Sequence, residues 1–204
     1  MHLVPTQEEV TELLRSSGAL REGHFRFPSG LHSSQYVQVP LAMRDYQDQK
    51  TLSVGLSRLV RANPELRAII PELSIVCPAT GGLPVAYTLC EALRARQVYW
   101  AEKECDTAPL RFRQFLEQCP GEKVLLADDI LRSGSKLTEL KNLVEANGAE
   151  VVALAVIVHH PTPRTADFGS LPFYCLAELP DGFFGDDDEC DLCKNGPPPT
   201  EVWV

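Results

Sequence analysis

The segment that most constrains the fold of this chain is VLLADDILRSGSKLT, at residues 124–138. It opens with four apolar residues, which is typical of a parallel strand buried on both faces. Asp128 and Asp129 follow where such a strand would end, and after a small-residue turn a helical pattern begins at Leu137. Ligands of open α/β sheets bind outside the carboxyl ends of the strands, and free amides at a helix start favour phosphate. The segment therefore predicts an α/β fold with an anion site at this strand end.

Strands and helices alternate on both sides of this segment. Short apolar runs predict the strands, and stretches with apolar residues on one face predict the helices. The predicted strands are residues 73–77, 97–101, 124–127, 151–158 and 173–176, and the predicted helices are residues 8–17, 48–60, 85–95 and 137–147. Because βαβ units place helices on both faces of a sheet, we expect a central, mostly parallel sheet flanked by helices.

Two segments fall outside this alternation, although we interpret residues 1–204 as a single domain. In residues 18–42, Phe25 and Phe27 alternate with polar neighbours before a Ser-Gly turn, which predicts a small two-stranded N-terminal hood. The hood either covers an edge of the core or carries substrate contacts. Residues 182–204 are acidic and then proline-rich, which predicts an extended tail on the surface.

Charge and hydropathy exclude several classes of protein. A net charge of -9 and a pI near 5.0 argue against a nucleic-acid binder, whose affinity depends on a basic face. No stretch approaches the roughly 18 apolar residues of a membrane span. The N-terminus is acidic where a signal peptide would begin with basic residues. We therefore expect a cytoplasmic protein with neither a membrane nor a nucleic acid as its partner.

A second loop with small residues, Thr80-Gly81-Gly82, follows the predicted strand at residues 73–77. Two glycines let a backbone approach a ligand closely and adopt conformations closed to other residues. Taken alone, the triplet is equally compatible with a plain turn. Two such loops at neighbouring strand ends, however, favour one shared anion site.

Residues 102–121 form a long connection without a clear period. The segment brings Lys103, Arg111 and Arg113 into an otherwise acidic protein. It is either a mobile functional loop or a solvated hairpin whose cations have no role, and the residues alone do not decide between the two.

Histidine and cysteine pairs are the remaining candidates for chemistry. His159-His160, past the strand at residues 151–158, either faces a ligand or hydrogen-bonds within its loop. Cys190 and Cys193 have the spacing of half a zinc site, but the tail lacks a second half. A metal there would need His159, His160 or another subunit. We therefore predict no protein metal site, and we interpret most of the seven cysteines as reduced apolar fillers.

Together these motifs resemble the type I phosphoribosyltransferases, and among them the orotate phosphoribosyltransferases. VLLADDILRSGSK resembles the phosphoribosyl-pyrophosphate signature, CPATGGLPVAY the pyrophosphate loop, and SGALREGHFRFPSGLHSSQY the N-terminal hood. YWAEK is similar to the strand that leads into the family's catalytic loop, and DECDLCKNG to a cysteine pair near the end of some members. The resemblance covers nearly the whole chain and implies the type I phosphoribosyltransferase fold.

The resemblance also implies an activity, the transfer of a phosphoribosyl group from 5-phosphoribosyl 1-pyrophosphate to a nucleobase, with orotate the leading base, in pyrimidine biosynthesis. Asp128 and Asp129 would bind the ribose hydroxyls and stabilise the cationic ring, Lys103 would stabilise the leaving group, and Mg²⁺ would neutralise the diphosphate. The implied phosphate-binding residues are Thr80, Gly81, Gly82, Arg132, Ser133, Gly134, Ser135 and Lys136, and the candidate base contacts are Phe27 and His160. In the family the catalytic loop reaches into the partner's site, which implies a homodimer.

The chain departs from the family pattern at several charged positions. Pro28 stands where the hood usually has a basic residue, and His159-His160 replaces an Asp-Arg pair whose Arg holds the orotate carboxylate. Arg132 and Lys136 add cations to the phosphate turn, whereas the loop after Lys103 lacks the family's further Lys and His. Two other hypotheses therefore stay open: a transferase for a different base, and a non-catalytic regulator that senses phosphoribosyl compounds or nucleotides.

Overall fold

The computed structural model describes residues 4–105, 107–113, 116, 120–180, 182–185 and 190–202. Two short 3-10 segments, Val39–Arg44 and Ile70–Glu72, lie between longer elements. The helices are α1 (Gln7–Ser16), α2 (Tyr46–Ala62), α3 (Pro64–Ile69), α4 (Gly82–Leu93), α5 (Ser135–Ala146) and α6 (Asp191–Asn195). The strands are β1 (Leu20–Arg26), β2 (His32–Val37), β3 (Ser74–Pro78), β4 (Gln97–Glu102), β5 (Arg111–Phe112), β6 (Lys123–Leu131), β7 (Glu150–His159), β8 (Phe173–Glu178), β9 (Phe183–Phe184) and β10 (Thr200–Glu201).

The larger sheet has six strands in the order β5-β4-β3-β6-β7-β8. All its neighbouring strands run parallel except the short β5, which pairs antiparallel with β4 at one edge. The predicted α/β architecture, with a mostly parallel sheet between helices, is therefore confirmed. Within the described residues, no helix is long and apolar enough to cross a membrane.

Two apolar layers cover the faces of this sheet, and residues of the central strands alternate between them. Ile75 and Leu125 pack into the layer that includes the buried faces of α1, α2 and α4. Val76 and Leu126, one position further along each strand, pack with α5 on the opposite face. Because both faces are buried, residues 75–77 of β3 and 124–127 of β6 are apolar at every position, which explains their unbroken apolar runs.

The strand order reverses between β3 and β6. From β3 the chain crosses to β4 on one side, and from β6 it crosses to β7 on the other. Pairing of β6 with β3 ends at Leu126, whereas pairing with β7 continues to Leu131. Asp128 and Asp129 therefore lie within β6, although the sequence predicts them just past the strand end. They project beyond the end of the β3 pairing, at the point where open α/β sheets form their ligand crevice.

The smaller sheet, in the order β10-β1-β2-β9, forms the hood. Its antiparallel core of β1 and β2 is the predicted two-stranded unit. The tail differs from the predicted extended surface segment, because β9 pairs with β2, β10 pairs with β1, and Cys190 between them is fully buried. An isolated pair of strands leaves backbone donors and acceptors open along both edges, and the two tail strands satisfy part of each edge.

A buried carboxylate just before β6 joins β3 and β4 at the amino end of the larger sheet. Glu122, 7% exposed, accepts hydrogen bonds from the Ser74 hydroxyl of β3 and from the Gln97 amide of β4, whose nitrogen lies 2.6 Å from the carboxylate oxygen. The Tyr99 hydroxyl donates to the other oxygen at 3.2 Å. Three donors on one buried acceptor are a strong constraint on strand register, because each loses a hydrogen bond if the carboxylate is removed.

We expect Glu122→Ala to lower the free energy of unfolding by ~3 kcal/mol, because buried donors lose a charged acceptor. Urea unfolding followed by circular dichroism measures this change. Glu150→Ala is the matched control, since Glu150 is an exposed carboxylate that pairs with Lys123 at the same end of the sheet; its loss should be below ~1 kcal/mol. An equal loss of unfolding free energy in the two variants would contradict the role of the Glu122 carboxylate in joining the strands.

Candidate active site

The glycine loop after β3 lies directly against the acidic pair of β6. A Cβ atom added to Gly81 would come within 2.9 Å of an Asp129 carboxylate oxygen, and one added to Gly82 within 3.0 Å of an Asp128 oxygen. The Cβ atom added to Gly82 would also lie 2.9 Å from the Cβ of Cys77. A larger residue at either position would displace the carboxylate that it approaches, so glycine keeps this backbone close to the acidic pair. The two loops therefore lie against each other, as the sequence predicts, and their joint role as an anion site stays a prediction.

Both carboxyl groups of the acidic pair have a raised pKa. Asp128 is buried and accepts a hydrogen bond from the Asp129 amide at 2.9 Å. Burial raises the pKa of Asp128 well above its ordinary value, and the neighbouring Asp129 charge raises it further. Burial also raises the pKa of Asp129, although the hydrogen bond with Asp128 and the charges of Arg132 and Lys136 oppose this rise. Such a pair favours a ligand that brings hydroxyl donors or positive charge.

The turn after β6 presents open polar groups beside these acids. Gly134 has a φ of +76°, and α5 begins at the next residue, two positions earlier than the sequence predicts. The Ser133 and Ser135 hydroxyl oxygens lie 3.1 Å apart, and both side chains are exposed together with that of Lys136. A helix start with exposed hydroxyls and an ammonium group nearby has the composition of an anion site.

Residues 161–172, which the sequence does not single out, hold this turn in place by hydrogen bonds. The Ala166 amide donates to the Ser133 carbonyl at 2.9 Å, and the Thr165 hydroxyl donates to the Arg132 carbonyl at 2.5 Å. A Cβ atom on Gly134 would lie 3.0 Å from the Ala166 Cβ. Residues 161–172 have neither a period nor a motif, so only the three-dimensional contact identifies them as part of the site.

Arg132 belongs to the hood rather than to the open turn. One of its guanidinium nitrogens donates to the Val37 carbonyl at 2.7 Å, and its Cζ lies 5.1 Å from the centre of the Phe27 ring and 6.0 Å from that of Tyr36. Burial lowers the pKa of Arg132, whereas the Asp129 charge opposes that change. The sequence groups Arg132 with the phosphate-binding residues, but the structure separates its side chain from those of Ser133, Ser135 and Lys136.

Aromatic rings connect the two candidate base contacts. Phe27 is 5% exposed and His160 is fully buried. Phe183 of β9 lies between them, with ring centres 5.3 Å from Phe27 and 4.5 Å from His160. The tail thus supplies an aromatic ring between the two candidate base contacts, which the sequence does not reveal. His159 points elsewhere, since its Nδ1 lies 3.4 Å from a Glu178 oxygen on β8.

The cations of the long connection pair with carboxylates of the chain itself. The Lys103 Nζ lies 3.1 Å from a Glu139 oxygen on α5, and the other oxygen of Glu139 accepts from the Leu110 amide at 2.6 Å. Arg111 pairs with Glu104, and the Arg113 Nε lies 2.7 Å from a Glu102 oxygen. Part of the connection lies outside the described residues, so its predicted role as a functional loop stays a prediction.

Comparisons with known proteins are consistent with this geometry. Residues 67–169 match the family model described as "Phosphoribosyl transferase domain". The chain is 34% identical to the orotate phosphoribosyltransferase of Heliobacterium modesticaldum, with 95% of each chain covered. It is 33% identical to that of Thermotoga maritima, with 93% of this chain and 94% of the relative covered.

Solved structures agree at the level of the fold. The orotate phosphoribosyltransferase of Aeropyrum pernix superposes with a TM-score of 0.67 at 20% identity, covering 83% of this chain and 93% of that one. The matched family model extends from α3 to the segment after β7, which includes the glycine loop, the acidic pair and the turn at residues 132–136.

We expect Asp128→Asn to stabilise the protein without ligands at pH 8 by ~1 kcal/mol, since it removes a buried charge while keeping an acceptor for the Asp129 amide. The native pKa of Asp128 is raised, so between the unfolded value near 3.8 and the native value the folded state binds more protons. Wild-type stability relative to the variant therefore falls as pH rises through this window.

Thermal unfolding of both proteins from pH 4 to pH 8 measures this difference. Glu72→Gln removes an exposed carboxylate and serves as the control, which should follow the wild type across the range. A constant difference between Asp128→Asn and wild type, or a less stable variant at pH 8, would be incompatible with a buried charge at this position.

Proposed function

Since the chain belongs to the phosphoribosyltransferase family, we propose that it transfers the phosphoribosyl group of 5-phosphoribosyl 1-pyrophosphate to orotate and forms orotidine 5'-monophosphate, a step of pyrimidine biosynthesis. The observation that carries the proposal is the close approach of Gly81 and Gly82 to Asp129 and Asp128. It sets a backbone able to bind pyrophosphate against carboxylates able to bind ribose. The names of the relatives at 34% and 33% identity support orotate as the base.

The reaction needs stabilisation of two opposite charges. A nitrogen of the base forms a bond to C1 of the ribose while the bond from C1 to the pyrophosphate oxygen breaks, so that positive charge develops on the ring and negative charge on the leaving group. The proton of that nitrogen is released to solvent or to the departing pyrophosphate. Asp128 and Asp129, once ionised, accept hydrogen bonds from the ribose hydroxyls and stabilise the ring. The backbone around Thr80, Gly81 and Gly82 donates to the departing pyrophosphate.

The 5-phosphate has a separate site in this proposal. Ser133, Gly134, Ser135 and Lys136 offer hydroxyls, a positive charge and the first amides of α5. Fixing the phosphate at one end and the pyrophosphate at the other holds C1 of the ribose over the acidic pair.

The acidic pair also fits a divalent cation held near the diphosphate. Burial raises the pKa of both Asp128 and Asp129, so an added positive charge would stabilise their ionised forms. Mg²⁺, bound mainly through substrate oxygens, would neutralise the diphosphate and favour its departure. Orienting the ribose remains the role of the carboxylates themselves.

For the base, we assign Arg132 a recognition role in place of phosphate binding. The chain has Pro28 and His159-His160 where the family pattern has cationic residues, and a carboxylate site rarely lacks a cation. The Arg132 guanidinium lies beside Phe27, and Phe183 connects Phe27 to His160. An aromatic ring with an adjacent guanidinium suits a flat, negatively charged base.

Lys103 is proposed to act on the leaving group after release from Glu139, 3.1 Å away in this structure. The resemblance to the family further suggests a homodimer, in which the loop of one chain completes the site of the other, in the cytoplasm.

Absorbance assays with 5-phosphoribosyl 1-pyrophosphate, Mg²⁺ and a panel of bases test the activity. We expect orotate to be consumed, and Lys103→Ala to reduce kcat about 100-fold; Lys50→Ala, an exposed lysine on α2, is the matched control. A product with another base and none with orotate would select a different specificity. Binding of the sugar phosphate without turnover, unchanged by Lys103→Ala, would select a regulator.

We expect Arg132→Gln to raise KM for orotate by about 10-fold to 100-fold, since it removes a positive charge beside the base. The KM for 5-phosphoribosyl 1-pyrophosphate should change by less than about 3-fold. Arg164→Gln is the control, because Arg164 is an exposed arginine in the neighbouring connection. A rise confined to the KM for 5-phosphoribosyl 1-pyrophosphate would instead indicate that Arg132 is a phosphate-binding residue.

A further inference from the structure

Four metal-binding side chains meet between the hood and the tail. They are His24 of β1, His32 of β2, and Cys190 and Cys193 at the start of α6. We propose that these residues bind one structural Zn²⁺ ion that fastens the tail to the hood. The site is separate from the acidic pair, and its existence does not depend on the proposed reaction.

The distances between the candidate ligand atoms fit one tetrahedral ion. The His24 Nε2 and His32 Nδ1 lie 2.9 Å apart, and the Cys193 sulfur lies 3.6 Å and 3.4 Å from these two nitrogens. The Cys190 sulfur lies 3.5 Å from the His24 Nε2, and all four atoms lie within 4.8 Å of one another. Bonds of about 2.0–2.3 Å in a tetrahedral zinc site separate ligand atoms by about 3.3–3.8 Å. The three nitrogen–sulfur distances of 3.4, 3.5 and 3.6 Å already fall in this range, and the two nitrogens would have to move apart by about 0.4 Å.

The fold brings these residues together from distant parts of the sequence. The register of β1 and β2 shifts between Glu22 and Phe25, and this irregularity leaves two successive side chains, His24 and Phe25, buried. His32 begins the neighbouring strand, opposite Arg26. Because His24 and Cys190 are 166 residues apart, the spacing within the tail does not reveal the second half of the site.

A backbone carbonyl already fixes one ligand in the required orientation. The His24 Nδ1 lies 2.7 Å from the carbonyl oxygen of Pro197, so this nitrogen carries the proton and donates it. The Nε2 of the same ring is then left as an acceptor, and it is the atom that faces His32 and both cysteines. Zinc-bound histidines characteristically donate their second nitrogen to a carbonyl or carboxylate.

Burial and charge select zinc among the common metal ions. His32 and Cys190 are fully buried and His24 is 4% exposed, so any charge that remains at the site is costly. Two thiolates offset the two positive charges of Zn²⁺, and two neutral imidazoles complete a tetrahedron. Mg²⁺ prefers six oxygen ligands, which this donor set lacks.

The ion would also hold Phe183 in position, the tail residue that lies between the two candidate base contacts. Cys190 and Cys193 lie just after β9, whose Phe183 packs against His160 and Phe27. β9 and β10 have two residues each, which is too few for lasting pairing by hydrogen bonds alone. A metal joining α6 to β1 and β2 supplies the missing constraint.

Metal analysis of the purified chain, produced in zinc-containing medium and kept reduced, tests the proposal. We expect about one zinc per chain in the wild type and less than about 0.1 in Cys193→Ser or His32→Asn. Cys90→Ser is the matched control, because Cys90 is also half-buried but lies on α4, and it should keep its zinc. A strong chelator should lower the wild-type midpoint of thermal unfolding and leave that of Cys193→Ser unchanged.

Substitution with Co²⁺ gives a second measurement that does not depend on activity or on the variants folding. A tetrahedral site with two thiolates gives intense visible bands and a sulfur-to-cobalt charge-transfer band in the near ultraviolet. A reduced wild-type chain that contains no zinc and lacks these bands would overturn the proposal. Zinc retained in full by both Cys193→Ser and His32→Asn, or a Cys190–Cys193 disulfide that persists in reductant, would do the same.

Discussion

The contact between two glycines and two aspartates is the constraint on which the rest of the site depends. β3 and β6 are neighbours at the reversal of the strand order, so the loops that follow their apolar halves must share one crevice. A side chain at position 81 or 82 would collide with a carboxylate. The crevice therefore keeps its acids buried and close to bare backbone, a combination that is unfavourable without a ligand and suits a sugar diphosphate.

Much of the larger sheet is predictable from the sequence because burial on both faces leaves a simple signal. Residues 124–127 and 151–158 are unbroken apolar runs, and both are central strands of the sheet. The convergence of the glycine loop with the acidic pair follows from the same logic, because parallel strands bring their carboxyl ends to one edge. The sequence predicts the start of α5 two residues too late, because the serine and lysine that begin the helix do not contribute to its apolar pattern.

The parts that could not be predicted depend on contacts between distant residues. Nothing in residues 161–172 indicates that they support the phosphate turn, because their contribution consists of one amide and one hydroxyl. Arg132 lies within the phosphate signature, but its side chain extends toward the hood, where it contacts the Val37 carbonyl and the rings of Phe27 and Tyr36. The tail reads as polar and extended because its partners, the edges of β1 and β2, lie elsewhere in the chain.

Arg132 also has a consequence for how the site measures its substrate. Its carbonyl is held by Thr165 at the base of the phosphate turn, while its guanidinium is held by Val37 in the hood. One residue thus spans the two halves of the crevice and sets the distance between them. Under the proposed function this fixed spacing would act as a ruler, because a nucleotide whose base and 5-phosphate are further apart or closer together than this span would fit one half only. The chain would in this way select the shape of its product as well as the chemistry of its base.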